Sequence, residues 1–221
     1  MSPVPTGALF RISPLLLAAL AGMATVLGFA PFNLFLLPVA TVALLIVLWQ
    51  RAGSVRKAAL IGFVFGLGCF LTGVSWVYVS LHDFGAMPAV LAAGLTLLFC
   101  CILAAYPAAI GGAYFALGTR SVWTTVAVVP ALWMLADWTR GWLFTGFPWI
   151  ALGYAQVPVS PLAGYVPVVG VYGVTWATVL SAALIVTLWQ ARKRRAWLWS
   201  ALLVALWAGG YGLQQIAWTT P

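Results

Sequence analysis

The longest uncharged stretch of this chain constrains its fold more than any other feature. No charged residue occurs between Arg11 and Arg51. An α-helix rises 1.5 Å per residue and a bilayer core is about 30 Å thick, so the stretch is too long for one membrane helix. The turn-forming segment Ala30-Pro31-Phe32-Asn33 interrupts it. We therefore predict two membrane helices, near 12–29 and 34–49, joined by a tight turn.

Composition extends this prediction to the whole chain. Hydrophobic residues make up 65% of the sequence and charged residues only 5%, whereas a soluble domain carries roughly 25% charged residues. The net charge of +8 does not indicate nucleic-acid binding, because the bases separate apolar runs instead of clustering on one surface. We predict an all-α, polytopic membrane helix bundle. It forms a single transmembrane domain over 1–221 with about seven spans, the further ones near 58–81, 89–117, 122–138, 164–190 and 196–218, and with an interfacial loop at 139–163.

The basic residues predict the orientation of this bundle. If seven spans alternate, nine of the ten bases fall on one side, which the positive-inside rule identifies as cytoplasmic. Asp83, Asp137 and Arg140 fall on the opposite side. The N-terminus is therefore predicted to be cytoplasmic and the C-terminus periplasmic. The bases counted on the cytoplasmic side are Arg11, Arg51, Arg56, Lys57, Arg120, Arg192, Lys193, Arg194 and Arg195.

The stretch from Thr139 to Gln156 combines aromatic rings with Gly and Pro just after Asp137. Asp137 and Arg140 are three residues apart, so on a helix they share one face and can form an ion pair. Two interpretations stay open for Arg140. It anchors the helix end through Asp137, or its guanidinium holds a phosphate head group or orders the loop above it.

Other reactive residue types give weaker signals. His82 and Asp83 could form a general base with an orienting acid, but adjacent side chains rarely face each other, and an ordinary loop is favoured. Cys69, Cys100 and Cys101 lie within apolar runs and are expected to pack as small apolar residues. With a single histidine and no metal-binding spacing, the sequence predicts no metal and no cofactor.

Several segments together resemble one protein family. The segment Arg140-Gly-Trp-Leu-Phe-Thr-Gly-Phe-Pro-Trp149, followed by Gly153-Tyr-Ala-Gln156, resembles the signature loop of bacterial apolipoprotein N-acyltransferase. The segments 75–80 and 84–88 resemble the outer loop that precedes it in that family. The segments 29–32 and 130–133 resemble its first turn and fifth span, so that the resemblance extends along essentially the whole chain.

The resemblance implies an inner-membrane, multi-pass enzyme whose functional face is periplasmic. Members of the family transfer an acyl chain from a phospholipid to the amine of the S-diacylglyceryl-cysteine at a lipoprotein N-terminus, through a thioester on their own cysteine. That cysteine, a glutamate and a lysine belong to a nitrilase-like domain that follows the seventh span. Such a domain is expected after residue 221 and is not in this sequence. We therefore expect a fragment with no catalytic residue, inactive alone, whose partners are phospholipid, the diacylglyceryl-modified lipoprotein N-terminus and the missing domain, and not nucleic acid.

The resemblance also implies a lipid-facing site in this chain. Its role would be to admit lipid chains laterally and to present their polar ends to the catalytic domain. Packing of the loop alone is one alternative reading of these residues. A stand-alone transporter or lipid-handling protein and a non-catalytic scaffold are further alternatives, although we find no internal repeat and the charges lie at span ends, which counts against transport. The candidate substrate-binding residues are Trp76, Tyr78, Arg140, Gly146, Phe147, Pro148 and Trp149.

Overall fold

Helices are the only regular secondary structure in the residues that the structure, a computed structural model, describes, namely 13–118, 121–191 and 193–218. This confirms the all-α part of the predicted fold class. Short 3₁₀ or π turns follow α1 and α4 and occur within the 141–165 segment, and a π turn precedes α6. The α-helices are α1 (Pro14–Thr25), α2 (Leu36–Gln50), α3 (Val55–Gly73), α4 (Trp76–Val79), α5 (Ala89–Gly118), α6 (Val129–Arg140), α7 (Val166–Gln190) and α8 (Lys193–Gln214).

Neutral polar side chains bring several helix ends together at one end of the bundle. Gln190 Nε2 at the end of α7 donates to Gln50 Oε1 at the end of α2, with 2.6 Å between the atoms. Gln50 Nε2 in turn donates to the hydroxyl of Tyr114 near the end of α5, at 3.0 Å. The Tyr114 hydroxyl is also 2.7 Å from Thr125 Oγ1, just before α6. Since the basic residues Arg51, Arg56 and Lys57 follow α2 directly, we call this side of the bundle the basic end.

The opposite end, which we call the loop end, holds the irregular segment 141–165. Gln156 Nε2 donates to the Phe35 carbonyl before α2, and Gln214 Nε2 at the end of α8 donates to the Ser160 carbonyl. Gly28, after α1, packs against Ala155. The long helical segments therefore run alternately between the two ends, as the sequence pattern requires.

Four helices are long and apolar enough to cross a membrane, judged over the described part of the chain. They are Val55–Gly73, Ala89–Gly118, Pro161–Gln190 and Ala196–Gln214. Pro14–Gly28 and Leu36–Gln50 are apolar but shorter; at 1.5 Å per residue each is about 22 Å long, less than a bilayer core of about 30 Å. The structure thus gives four candidate membrane spans, consistent with a membrane protein, while the count of seven stays a prediction.

Small residues set the closest helix contacts. Gly62 and Gly66, one turn apart on α3, face Pro107 and Ala104 of α5 so closely that a methyl group on either glycine would overlap α5 backbone. Such small-residue spacing is the common way for membrane helices to approach each other. Around this contact a core of large side chains is fully buried, including Trp49, Phe65 and Tyr114.

Some helix boundaries differ from those expected. The third predicted span, 58–81, divides into α3, which ends at Gly73, and the short α4, because Val74 leaves helical geometry. At this point Gly73 packs against Ile150 of the 141–165 segment, which occupies the space that a longer side chain would need. The predicted positions of the two termini and of three bases cannot be compared with the structure. These residues lie outside the described ones: Met1, Arg11, Arg120, Arg192 and Pro221.

Candidate functional site

An ion pair at the end of α6 is the centre of the loop end. Arg140 Nη2 lies 2.9 Å from Asp137 Oδ1, and the two residues are 3% and 5% exposed. Removing both charges from water is costly, and a buried pair persists only when further hydrogen bonds satisfy its remaining donors and acceptors. The spacing of three residues on one helix face provides the pair, as the sequence predicts.

The remaining groups of the pair bind the loop backbone. Arg140 Nη1 donates to the Phe147 carbonyl at 2.8 Å and also to the Trp149 carbonyl. Asp137 Oδ2 accepts from the Leu152 amide at 3.1 Å. Irregular backbone within a membrane protein needs such partners, because lipid supplies no hydrogen bonds. The pair therefore determines the path of residues 147–152.

Thr175 links the same pair to α7. Its hydroxyl donates to Asp137 Oδ2 at 3.2 Å and accepts from the Gly153 amide at 2.9 Å. The Arg140 guanidinium also lies over the Phe70 ring, 5.4 Å from its centroid. The guanidinium is thus engaged on several sides by the protein. This arrangement favours the interpretation in which Arg140 orders the loop over the one in which it holds a phosphate group.

The turn that follows α6 is strained. Phe144, Thr145 and Gly146 have consecutive positive φ angles of 52°, 75° and 82°. Non-glycine residues rarely adopt this region, and when they do they tend to occur at functional sites. At Gly146 a side chain would also overlap the Gly141 carbonyl, so glycine is required there on two grounds. The turn ends at Phe147, whose amide donates to the Arg140 carbonyl at 2.7 Å.

Four rings from three segments form an aromatic cluster at the loop that the ion pair binds: Trp76, Phe99, Phe147 and Trp149. Phe147 stacks on Trp149 with 5.0 Å between ring centroids and meets Phe99 edge-on at 4.8 Å. Trp76 lies 5.8 Å from Trp149. Trp76 and Trp149 are 42% and 51% exposed, so that the cluster is packed on one side and open on the other.

Beside the cluster lies an open cavity of about 570 Å³, which we call the Trp149 groove. This volume is within the range of small-molecule sites, roughly 300–1,000 Å³. Its walls are mostly apolar, and the backbone that carries Trp149 is fixed by Arg140. The lining residues are Val26, Phe29, Ala30, Gly73, Pro148, Trp149, Ile150, Tyr154 and Val157.

The seven predicted site residues do not all meet. Trp76, Phe147 and Trp149 join the aromatic cluster, Pro148 lines the groove, and Arg140 and Gly146 support the loop from within. Tyr78 is the exception: its ring lies against His82, with 5.4 Å between centroids, and it is in neither the cluster nor the groove lining.

Sequence reasoning missed several participants. Phe99 lies in the middle of an apolar span and Thr175 has no neighbouring charge, so neither carries a signal in the sequence. The turn residues Phe29 and Ala30 belong to a segment that resembles the family's first turn, a signal that could have indicated the groove wall.

The weaker candidates keep ordinary roles. His82 Nδ1 is hydrogen-bonded to the Met87 carbonyl at 2.7 Å, and Nε2 is 4.0 Å from an Asp83 carboxylate oxygen in the π turn that follows α4. Cys69 and Cys100 are buried within α3 and α5. No group of three metal-binding side chains occurs within the described ranges 13–118, 121–191 and 193–218. The loop end offers apolar and aromatic surface for binding.

The chain is similar to known proteins of one family. A family model described as the apolipoprotein N-acyltransferase N-terminal domain matches residues 21–184. Proteins named apolipoprotein N-acyltransferase are similar along nearly the whole chain. The one from Nitrosomonas europaea is 50% identical over 93% of this chain, that from Chromobacterium violaceum 41% over 100%, and that from Vibrio cholerae 39% over 96%. The chain spans 41–42% of the length of these relatives.

Proposed function

Because this chain belongs to the apolipoprotein N-acyltransferase family, we propose that it is the membrane part of an enzyme that matures lipoproteins. The whole enzyme would transfer a fatty acyl chain from phospholipid to the amine of an N-terminal S-diacylglyceryl-cysteine. This part would admit the lipid substrates and position them. The observation that carries the proposal is the Trp149 groove beside the aromatic cluster, both built on a loop that a buried ion pair holds in place.

The physical reasoning starts from what acyl transfer between two lipids requires. Both substrates are anchored in a bilayer by hydrocarbon chains, so a site for them needs apolar surface at membrane level. Trp149 and Pro148 line the groove and belong to a loop with little freedom to move, since Arg140 binds the carbonyls on both sides of Pro148. Holding two reactants in register can supply much of the catalytic effect, and small misplacements reduce the rate strongly.

The proposed topology has seven crossings in the bacterial inner membrane, with the loop end at the periplasmic face. Two observations support it. The helical segments alternate between the two ends of the bundle, and nine of the ten bases occur in segments assigned by sequence to the basic end. The loop end, which carries Asp137 and Arg140, would then face the compartment where lipoproteins are modified.

The catalytic groups themselves would come from outside this chain. The resemblance assigns them to a nitrilase-like domain, and the relatives are more than twice as long as this chain. Cys69 and Cys100 are buried within helices, so their thiol groups are poorly placed for the phospholipid ester and the lipopeptide amine to reach. We expect the chain alone to be inactive, and turnover of phospholipid to N-acylated lipopeptide by it would contradict this.

The test compares two tryptophans of similar exposure in a full-length protein that carries this domain. Trp149 lines the groove, whereas Trp142, 54% exposed, packs against Trp138 away from it. We expect Trp149→Ala to lower the rate of lipopeptide N-acylation by about 10²-fold and Trp142→Ala to leave it near the wild-type rate. The rate is measured with a diacylglyceryl lipopeptide and phospholipid in mixed micelles.

Two outcomes would contradict the proposal. Equal losses in both variants would mean that Trp149 acts as a general interfacial anchor, and a wild-type rate for Trp149→Ala would remove the groove from the reaction. Transport of phospholipid across vesicle bilayers by the reconstituted chain alone would instead support a stand-alone lipid-handling protein.

A further inference from the structure

A second cavity lies at the basic end, far from the proposed site. It has a volume of about 420 Å³ and opens where the start of α1 meets the turn between α2 and α3. Gln50, the residue before this turn, belongs to the polar cluster with Tyr114 and Gln190, which places the cavity at the end opposite the Trp149 groove. We call it the basic groove; its lining residues are Ser13, Pro14, Leu15, Leu48, Arg51, Ala52, Lys57, Leu60 and Ile61.

The basic groove has charged and apolar parts at different depths. Its two charged lining residues, Arg51 and Lys57, are both cationic, and no acidic residue lines it. Leu48 precedes Arg51 by three residues on α2, and Leu60 follows Lys57 by three on α3. A helical turn is 5.4 Å long, so the leucines lie about one turn further into the bundle than the cations. Charge at the mouth and hydrocarbon below is the polarity of a phospholipid.

Exposure of the walls agrees with this polarity. Leu15 and Leu60 are 37% and 47% exposed, and they are therefore open to lipid beside the groove. Ala52, at 8% exposure, is a small buried residue of the groove wall. The groove is thus open laterally to the bilayer and also toward the surface at the basic end.

We propose that the basic groove binds an anionic phospholipid from the leaflet at this end of the bundle. The lipid phosphate lies between the Arg51 guanidinium and the Lys57 ammonium group, and an acyl chain follows Leu15, Leu48 and Leu60. Basic pockets between membrane helices are suited to anionic head groups, and a guanidinium matches phosphate geometry. A lipid whose head group carries its own cation is disfavoured, because that cation meets two further positive charges. This site is separate from acyl transfer and does not depend on the proposed function.

The test measures lipid-dependent stability of the purified full chain in a neutral detergent. Thermal unfolding is followed with phosphatidylglycerol, with phosphatidylcholine of the same acyl chains, and with inorganic phosphate, each over a concentration series. A ligand that binds only the folded state raises the unfolding temperature with its concentration. We expect a saturable rise with phosphatidylglycerol and none with the other two. A rise with inorganic phosphate alone would show a phosphate site in place of a lipid site and overturn the proposal.

A matched pair of variants distinguishes lipid binding in the groove from general electrostatic attraction of an anionic lipid to basic residues. Lys57→Gln removes a groove cation, while Arg56→Gln removes the neighbouring exposed charge, which does not line the groove. One basic residue near a membrane surface contributes about 1 kcal/mol, so Lys57→Gln is expected to weaken the apparent affinity for phosphatidylglycerol by about fivefold. Arg56→Gln is expected to keep the wild-type affinity. Equal weakening by both variants would overturn the proposal.

A third variant tests the apolar part without changing charge. Leu60→Trp fills the groove below Lys57, and Leu60 is half-exposed, so that its replacement leaves the buried core intact. We expect the phosphatidylglycerol effect to be lost. Native mass spectrometry supplies a readout that does not depend on unfolding: one phosphatidylglycerol retained by the wild-type chain but not by Leu60→Trp supports the site, and equal retention by both chains, or of both lipids, contradicts it.

Discussion

The two ends of the bundle satisfy their buried polar groups in different ways. At the loop end a buried ion pair, Asp137 and Arg140, is surrounded by irregular backbone. At the basic end the buried contacts are neutral, from Gln50, Tyr114 and Gln190, and the backbone around them is helical. A helix satisfies its own backbone, whereas a loop at membrane level needs outside donors and acceptors. A guanidinium and a carboxylate supply several at once, which explains why the buried charge occurs where the helix stops.

The two ends also differ in what their hydrogen bonds hold in place. At the loop end the hydrogen bonds of the pair go to the carbonyls of Phe147 and Trp149, the residues that carry the aromatic cluster. At the basic end the hydrogen bonds go from helix to helix and hold no exposed ring in place. Loss of the first set is therefore expected to disturb the proposed site, and loss of the second only the stability of the bundle.

The largest expected effect is removal of one member of the ion pair. Asp137→Ala leaves the Arg140 guanidinium buried without its counter-charge, and breaking a buried pair in this way costs about 3–5 kcal/mol. We expect the free energy of unfolding, measured by denaturant titration in detergent micelles, to fall by this amount. Asp83→Ala, at the chain's other acid, which is exposed in the π turn after α4, is the matched control and is expected to leave it unchanged.

Replacing both members of the pair sharpens this result. The double variant Asp137→Leu with Arg140→Met removes both charges together, and similar replacements of buried pairs elsewhere are often neutral for stability. We expect it to lose less stability than Asp137→Ala but to lose N-acylation in a full-length protein, because the Trp149 carbonyl loses its donor. Wild-type activity of the double variant would show that the pair is only a stabilising contact.

Much of this arrangement could be predicted from the sequence, for reasons that differ between residues. The pairing of Asp137 with Arg140 follows from their spacing and from the scarcity of other acids, and Gly and Pro indicate the loop that follows. Phe99 and Thr175 could not be predicted, since the face that a residue turns inward within an apolar span depends on helices distant in sequence. Tyr78 is predicted to join the site because it belongs to the same segment as Trp76, but it does not. It is two residues from Trp76, and on a helix that spacing turns the two side chains apart.

A smaller effect is expected at the strained turn. Gly146→Ala puts a side chain on a residue with φ of +82° and against the Gly141 carbonyl, so it should cost about 1–3 kcal/mol of unfolding free energy. Gly94 in α5 is the control, because its position has open space and no positive φ; alanine there should be neutral or stabilising. Equal effects of the two changes would mean that the turn relaxes freely and does not fix the loop.

The smallest effect is expected at the basic end. Tyr114→Phe removes the hydroxyl shared by Gln50 and Thr125 while keeping the ring that packs against Trp49. Hydrogen bonds between membrane helices contribute about 0.6 kcal/mol on average, so we expect a loss of about 0.5–1.5 kcal/mol in unfolding free energy and no change in N-acylation by a full-length protein. Tyr211→Phe, on the exposed face of α8, is the control. A large loss of activity in Tyr114→Phe would show that the two ends are coupled. It would contradict the view that the loop end positions the site while the basic end only stabilises the bundle.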